Sequence, residues 1–279
     1  MSARIRSRPR IRYVALWAYT VVMVLYILAP LAVVVLNSFS SVAYNVFPPE
    51  GYSLRWYVNL MAQQEFYGAL ARSVILAALS TVVSLVIGTM AAYALMRYRL
   101  PGSGLIKGFV MSPMVLPKIV LGVAVFMFFV RVRTMGSPLN LLLVHVLVCL
   151  PFVVAIVSAA LANFDWTQAE AAQDLGAGLF TTFRRVVLPQ ISVSVFVAGV
   201  FAFMTSFDQV ETTIFLVRPG DNTLPVAMFL YLQRWQDPTI AALSVVLIAF
   251  AVALVALISV VLRDRQIPLD TVPRKELAP

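Results

Sequence analysis

The sequence predicts an all-α membrane protein with six transmembrane helices and both termini in the cytoplasm. Three observations carry this. Of the 279 residues, 61% are hydrophobic and 12% charged, against about half and about a quarter in a soluble domain. One water-soluble core cannot hide that apolar surface, so lipid must cover the excess. Six runs, about 13–36, 73–96, 108–130, 139–161, 193–217 and 239–262, each have the length a bilayer demands, about 20 apolar residues in helical form. The basic residues, finally, lie between these runs and favour alternate connections.

Lipid offers the backbone no hydrogen bonds, so each run is expected to be a helix; none alternates like a barrel strand. The first run follows Arg4, Arg6, Arg8, Arg10 and Arg12, as a secretory leader would. At about 24 apolar residues it is too long for one and has no small-residue cleavage site, so it reads as a retained helix. Fourteen Lys and Arg fall in 1–12, 97–107, 162–192 and the tail from 263, and six fall in the other connections. The richer set belongs to the cytoplasm. The expected organisation is a basic arm 1–12, a first helix 13–37, a five-helix core 66–262 containing the loop 162–192, and a tail 263–279.

Side-chain chemistry narrows the function classes. The net charge of +9 is spread over connections rather than gathered on one face, so no nucleic-acid partner is expected. Cys149 and His145 are the only residues of their kinds; this excludes an intrachain disulfide, a Cys-based zinc site and an HExxH metalloprotease. Both lie in one apolar run and are read as packed interior. No catalytic set, metal or cofactor is expected in this chain.

Within the third run, Pro113 and Pro117 each remove a helical hydrogen bond and predict a kink. Beside Gly122 and Lys118, that kink either lines a cavity or is one of the ordinary prolines of membrane helices. Asp208 and Glu211 are three apart and are expected on one helix face in the fifth run. Together with Lys118 they are candidate solute-pathway residues, or else members of a structural bond.

The loop 162–192 is too long for a plain turn. Asp165 or Thr167 is placed to cap a short helix, with Thr167 and Glu170 spaced as a capping box. The helix runs through Ala169, Ala171, Ala172 and Leu175, and Gly176 stops it. A second helical stretch places Phe180, Phe183 and Val187 on one side and ends at Pro189.

Glu170-Ala171-Ala172, then Gly176, then nine residues and Val186-x-Leu188-Pro189, resembles the EAA signature of ABC importer permeases; Val186 stands where that pattern has isoleucine. His145 and Cys149 to Val154, Phe164-Asp165, Asp208 and Pro219-Gly220…Leu224-Pro225 resemble the permeases of spermidine/putrescine importers. The resemblance implies the type I importer permease fold, and a multi-pass subunit of the bacterial inner membrane that moves a small polar solute inward. It implies as partners a cytoplasmic ATPase dimer, a second and different permease, and an external solute-binding protein. By the same resemblance, Glu170, Ala171, Ala172, Gly176, Leu188 and Pro189 couple the chain to the ATPase. The chain has no GxxxxGK[ST] loop, so ATP and magnesium belong on that partner. Polyamine-type permeases tend to carry an acid where Lys118 stands and a second acid where Gln209 stands, so the expected solute is a polyamine or a related amino or organic ion. The alternative is an ion-coupled secondary transporter.

Overall fold

The computed structural model describes residues 9–98 and 100–263, with side chains for 13–98 and 100–253. The arm 1–8 and the tail 264–279, on which much of the charge count rests, lie outside the described residues. In chain order the helices are α1 (Pro9–Ser38), α2 (Arg55–Ala62), α3 (Gln64–Arg97), α4 (Ser103–Val115), α5 (Lys118–Arg131) and α6 (Pro138–Ala162). Then come α7 (Trp166–Asp174), α8 (Leu179–Thr182), a π-helical turn Phe183–Val187, α9 (Leu188–Gln190) and α10 (Ser192–Phe207). A 3₁₀ turn Thr213–Phe215 precedes α11 (Leu224–Arg234) and α12 (Thr239–Arg263).

Three of these helices, α1, α3 and α6, are long and apolar enough to cross a membrane unaided; α4–α5 and the 179–207 segment qualify only as bent pairs. The chain divides into two compact units, 64–231 and a second built from 1–63 with 232–279.

In the second unit, α1 packs on α12, and α2 also lies against α12. The link between α1 and α2 is held locally. The Trp56 indole donates to the Ser40 carbonyl at 2.7 Å, and Asn59 Nδ2 donates to Thr239 Oγ1 at 2.8 Å. Most of α1 remains exposed, as expected of a helix whose surroundings are lipid or protein rather than its own chain.

In the 64–231 unit, α3, α6 and α10 pack on one another. The buried face of α3 is a stripe of small residues: Ala69, Ser73, Ala77, Ser80, Ser84, Gly88 and Ala92. Small side chains let membrane helices approach closely, where dispersion rather than water exclusion holds them. At Gly88 a Cβ would fall 2.7 Å from Val153 Cγ1, so α3 and α6 meet there almost backbone to side chain. Cys149, Val153, Val154, Val157 and Leu161 of α6 fill the centre with Ala198 and Ala202 of α10.

Two helix pairs are sharply bent. The chain turns by 106° between α4 and α5, where Leu116 is extended and Pro117 starts the new helix, as the proline pair predicted. It turns by 79° between Gln190 and Ser192. The fifth run differs from its expectation: α10 stops at Phe207, and 208–217 is a turn with a single 3₁₀ segment. Asp208 and Glu211 therefore do not share a helix face. The polar cluster Asp208, Gln209, Glu211, Thr212 and Thr213 marks this end in the sequence, where apolar residues on both sides carry the run through it.

Candidate functional site

The loop 162–192 folds into a short helix on a firm base. Asp165 is the N-cap and accepts from the Thr167 backbone N–H at 3.1 Å. The Thr167 hydroxyl also donates to it, and these bonds hold the Asp165 carboxyl below its usual range. Of the two capping residues proposed, Asp165 is the one used. Thr167 lies inside the helix, and the Thr167–Glu170 capping box does not form.

Glu170 has another partner. Arg97 Nη1, at the end of α3, donates to Glu170 Oε1 at 2.8 Å. The Arg97 guanidinium also lies 5.3 Å from the Trp166 ring, a cation–π distance. Beneath them, Tyr93 touches Trp166 and Phe183, and Phe164 meets Trp166 edge-on at 5.0 Å. Ala169 and Val187 are fully buried, and Gln190 Nε2 donates to Gln168 Oε1 at 2.7 Å. The helix is thus fixed to α3 on one side and to the π turn on the other.

Its far end is free. Gly176 N–H bonds to the Gln173 carbonyl and Ala177 N–H to the Ala172 carbonyl, at 2.8 and 3.0 Å. These are the two bonds of a Schellman stop, with Gly176 at φ +88° in the position that needs glycine. A Cβ at Gly176 would meet nothing within 4 Å, so only backbone conformation demands glycine there. Around this stop, Leu175 is 90% exposed, Phe180 74% and Leu179 59%. A soluble tip has no reason to present three large apolar side chains together; they mark a surface awaiting a partner.

The predicted coupling residues divide between these two regions. Glu170 is tethered, Ala171 is exposed, Ala172 is half-buried and Gly176 forms the stop. Leu188 is half-buried and Pro189 exposed; the buried anchor of that stretch is Val187 beside them. Phe180, expected on one side with Phe183 and Val187, is exposed while Phe183 is half-buried and Val187 buried. Arg97, Leu175 and Leu179 were not singled out in the sequence as functional. An apolar Leu175 ending a helix of negative mean hydropathy was the signal available for them.

The charges of the third and fifth apolar runs come together in part. Lys118 Nζ lies 4.0 Å from Glu211 Oε1, both side chains about half exposed. Asp208 is exposed and makes no such pair with a described residue. The two elements meet because Gly122 has no side chain: a Cβ there would fall 2.8 Å from the Glu211 carbonyl oxygen. His145 fixes the break itself. Its Nδ1 is 2.7 Å from Ser206 Oγ, at the end of α10, and its Nε2 is 3.0 Å from Thr213 Oγ1, at the start of the 3₁₀ turn. His145 is 1% exposed, the packed-interior role expected of it. Cys149 is likewise buried and donates to the Ala202 carbonyl. Among the described residues no cluster could hold a metal ion.

Residues 84–268 match the family of binding-protein-dependent transport system inner membrane components. The chain belongs to this family. It is a multi-pass inner-membrane permease subunit of a binding-protein-dependent ABC importer and is not itself the catalyst; the ion-coupled alternative is set aside. Such a system implies an ATPase, a partner permease and a binding protein. The chain is 30% identical to the spermidine/putrescine transport system permease protein PotC of Escherichia coli K12, over 86% of this chain and 90% of that protein. It is also 30% identical to the putrescine transport system permease protein PotI of the same strain, over 84% and 85%. Its fold is similar to the crystal structure of a bacterial ABC transporter involved in the import of the acidic polysaccharide alginate. That match has a TM-score of 0.70 at 16% identity and covers 94% of this chain and 99% of the other. At that identity the likeness concerns the fold alone.

Proposed function

We propose that this permease spans the membrane six times with both termini in the cytoplasm, and that its α7 tip docks on an ABC ATPase. The sixth span is α12, of 25 residues; the five-helix core is 66–262, with 1–12 and 263–279 as cytoplasmic ends and 13–37 as the first helix. One observation carries the docking: an apolar tip of Leu175, Leu179 and Phe180 stands on a helix tethered to α3 through Arg97 and Glu170. Ala171, Ala172 and Gly176 leave its flank small enough for a groove, and Leu188 and Pro189 continue its base. ATP and magnesium act on the partner, and closure of the ATPase pair favours one of two states of the membrane helices.

The second permease is a different chain, and the solute is polyamine-type or a related amino or organic ion. The spermidine- and putrescine-transporting relatives support this class. Lys118 offsets Glu211, leaving Asp208 as the acid open to a solute ammonium group, which suits a solute of low positive charge.

The test places a cysteine at Leu175 in a Cys149→Ala background and purifies the assembly in a gentle detergent. A disulfide or short cross-link to a co-purifying P-loop ATPase is expected, with a yield that changes with nucleotide. Uptake insensitive to ATP depletion, with no ATPase retained or cross-linked, would overturn the reading.

A further inference from the structure

The end of α3 opposite Arg97 borders a cavity of about 530 Å³ that none of Lys118, Asp208 and Glu211 lines. Its size falls in the range of ligand sites, about 300–1,000 Å³. One wall is Ile75, Leu76 and Leu79 of α3; the other is Leu139, Leu141 and Leu142 of α6. At its mouth stand Arg72 and Arg218, with Thr223 and the carboxylate of Asp221.

The geometry points to a binding site for one anionic phospholipid, its phosphate held by Arg72 and Arg218 and an acyl chain laid between α3 and α6. Four observations support it. First, neither arginine is ion-paired with a described residue, Asp221 included. Arg72 Nε donates to the Asn222 carbonyl at 2.9 Å, while Asn222 Nδ2 donates to Glu65. That leaves the other guanidinium donors of Arg72 uncommitted and the mouth with a surplus of positive charge.

Second, both guanidinium groups lie in space that two glycines leave open. Arg218 Nε would lie 2.9 Å from a Cβ at Gly136, and Arg72 Nη1 3.2 Å from one at Gly68. Third, Thr223 is 3% exposed and its hydroxyl has no partner. Burying such a group unpaired is costly, and because Thr223 lines the cavity a ligand oxygen there would relieve that cost.

Fourth, the depth is right. Arg72 and Arg97 are 25 residues apart on one helix, roughly 37 Å at about 1.5 Å per residue. A hydrocarbon core of about 30 Å fits between them, so Arg72 sits at headgroup level. Ile75, Leu76 and Leu79 follow about 5–10 Å deeper, where acyl chains begin. A free anion would leave those leucines uncovered, which is why a lipid fits better than phosphate.

The experiment is native mass spectrometry of the intact assembly, released from its own membrane and from nanodiscs of mixed phosphatidylglycerol and phosphatidylethanolamine. The wild type is expected to retain phosphatidylglycerol selectively. Arg72→Gln with Arg218→Gln, and separately Thr223→Val, should lower that selectivity by about tenfold, while Arg131→Gln, which does not line the cavity, leaves it unchanged. A second measurement needs no variant: the wild-type assembly should unfold at higher temperature in phosphatidylglycerol-containing nanodiscs than in phosphatidylethanolamine alone. Unchanged retention in both variants, binding of inorganic phosphate without lipid, or a Leu139→Cys cross-link to the partner permease in place of lipid would each overturn the assignment.

Discussion

Replacing Gly122 by alanine tests whether close packing of α5 on the 208–217 segment holds the broken fifth span. The added Cβ would lie 2.8 Å from the Glu211 carbonyl oxygen, 2.9 Å from Phe215 Cδ2 and 3.0 Å from Thr212 Cα. Two of these neighbours are backbone, so they cannot swing aside as a flexible side-chain tip does. Overpacking of this kind costs about 1–3 kcal/mol, while alanine in place of glycine returns about 0.5–1 kcal/mol of helix preference. The net loss is about 1–2 kcal/mol, or roughly 2–8 °C in apparent midpoint for a domain of this size. Gly108→Ala is the control, since a Cβ there meets nothing within 4 Å and only the helix preference remains. Thermal unfolding in one detergent and at one scan rate compares the two. Gly122→Ala should melt lower than wild type and Gly108→Ala no lower; equal midpoints for the two variants would refute the packing argument. Reconstituted uptake should fall with Gly122→Ala as well, because the displaced segment carries Glu211 away from Lys118.

His145→Leu removes the partner of both Ser206 and Thr213, and each buried hydroxyl left unpaired costs about 1–3 kcal/mol; a lowered midpoint with altered proteolysis near 208–212 is the expected readout. Gly176→Ala places a Cβ in the left-handed region at a cost of about 1–2 kcal/mol, so uptake should drop at normal membrane abundance, with Gly176→Asn retaining more. Arg97→Met and Glu170→Gln should show a coupling of only about 0.2–1 kcal/mol in a double-mutant cycle, since Glu170 is 54% exposed and solvent screens the pair. Added salt should shrink that coupling further.

Much of this was legible in order and composition. The lengths of α1, α6 and α12 follow from apolar runs bounded by polar stretches, whereas α3 starts at Gln64, nine residues before the run 73–96; the break at Pro117 follows from a missing amide and a crowded carbonyl. The Gly176 stop was legible because only one backbone conformation closes that helix with both its bonds made. The end of α10 was not. The polar cluster at 208–213 fits a polar helix face as well as a loop, and what decides between them is His145, 61 residues from Ser206 and 68 from Thr213. Such a partner is a tertiary fact with no local trace. The tether between Arg97 and Glu170, 73 residues apart, is hidden for the same reason, and Glu170 looked like half of a local capping box.

These long-range bonds explain why an event at Leu175 need not dissipate in its own loop. A helix of nine residues on a flexible stalk would absorb a push by fraying. Here α7 is joined to α3 by the Arg97 ion pair and the Tyr93–Trp166–Phe183 cluster, and α3 continues as one unbroken rod from Arg97 past Arg72. Its small-residue face seats it on α6, where Gly88 meets Val153, and packed interfaces of this density shift as units rather than deform. From α6, His145 reaches both sides of the break in span five. The chain of contacts from the exposed tip to the segment bearing Asp208 and Glu211 therefore passes through rigid elements and a few identifiable bonds. Each of those bonds is open to separate removal, so a coupling defect without loss of folding would place a bond on this route.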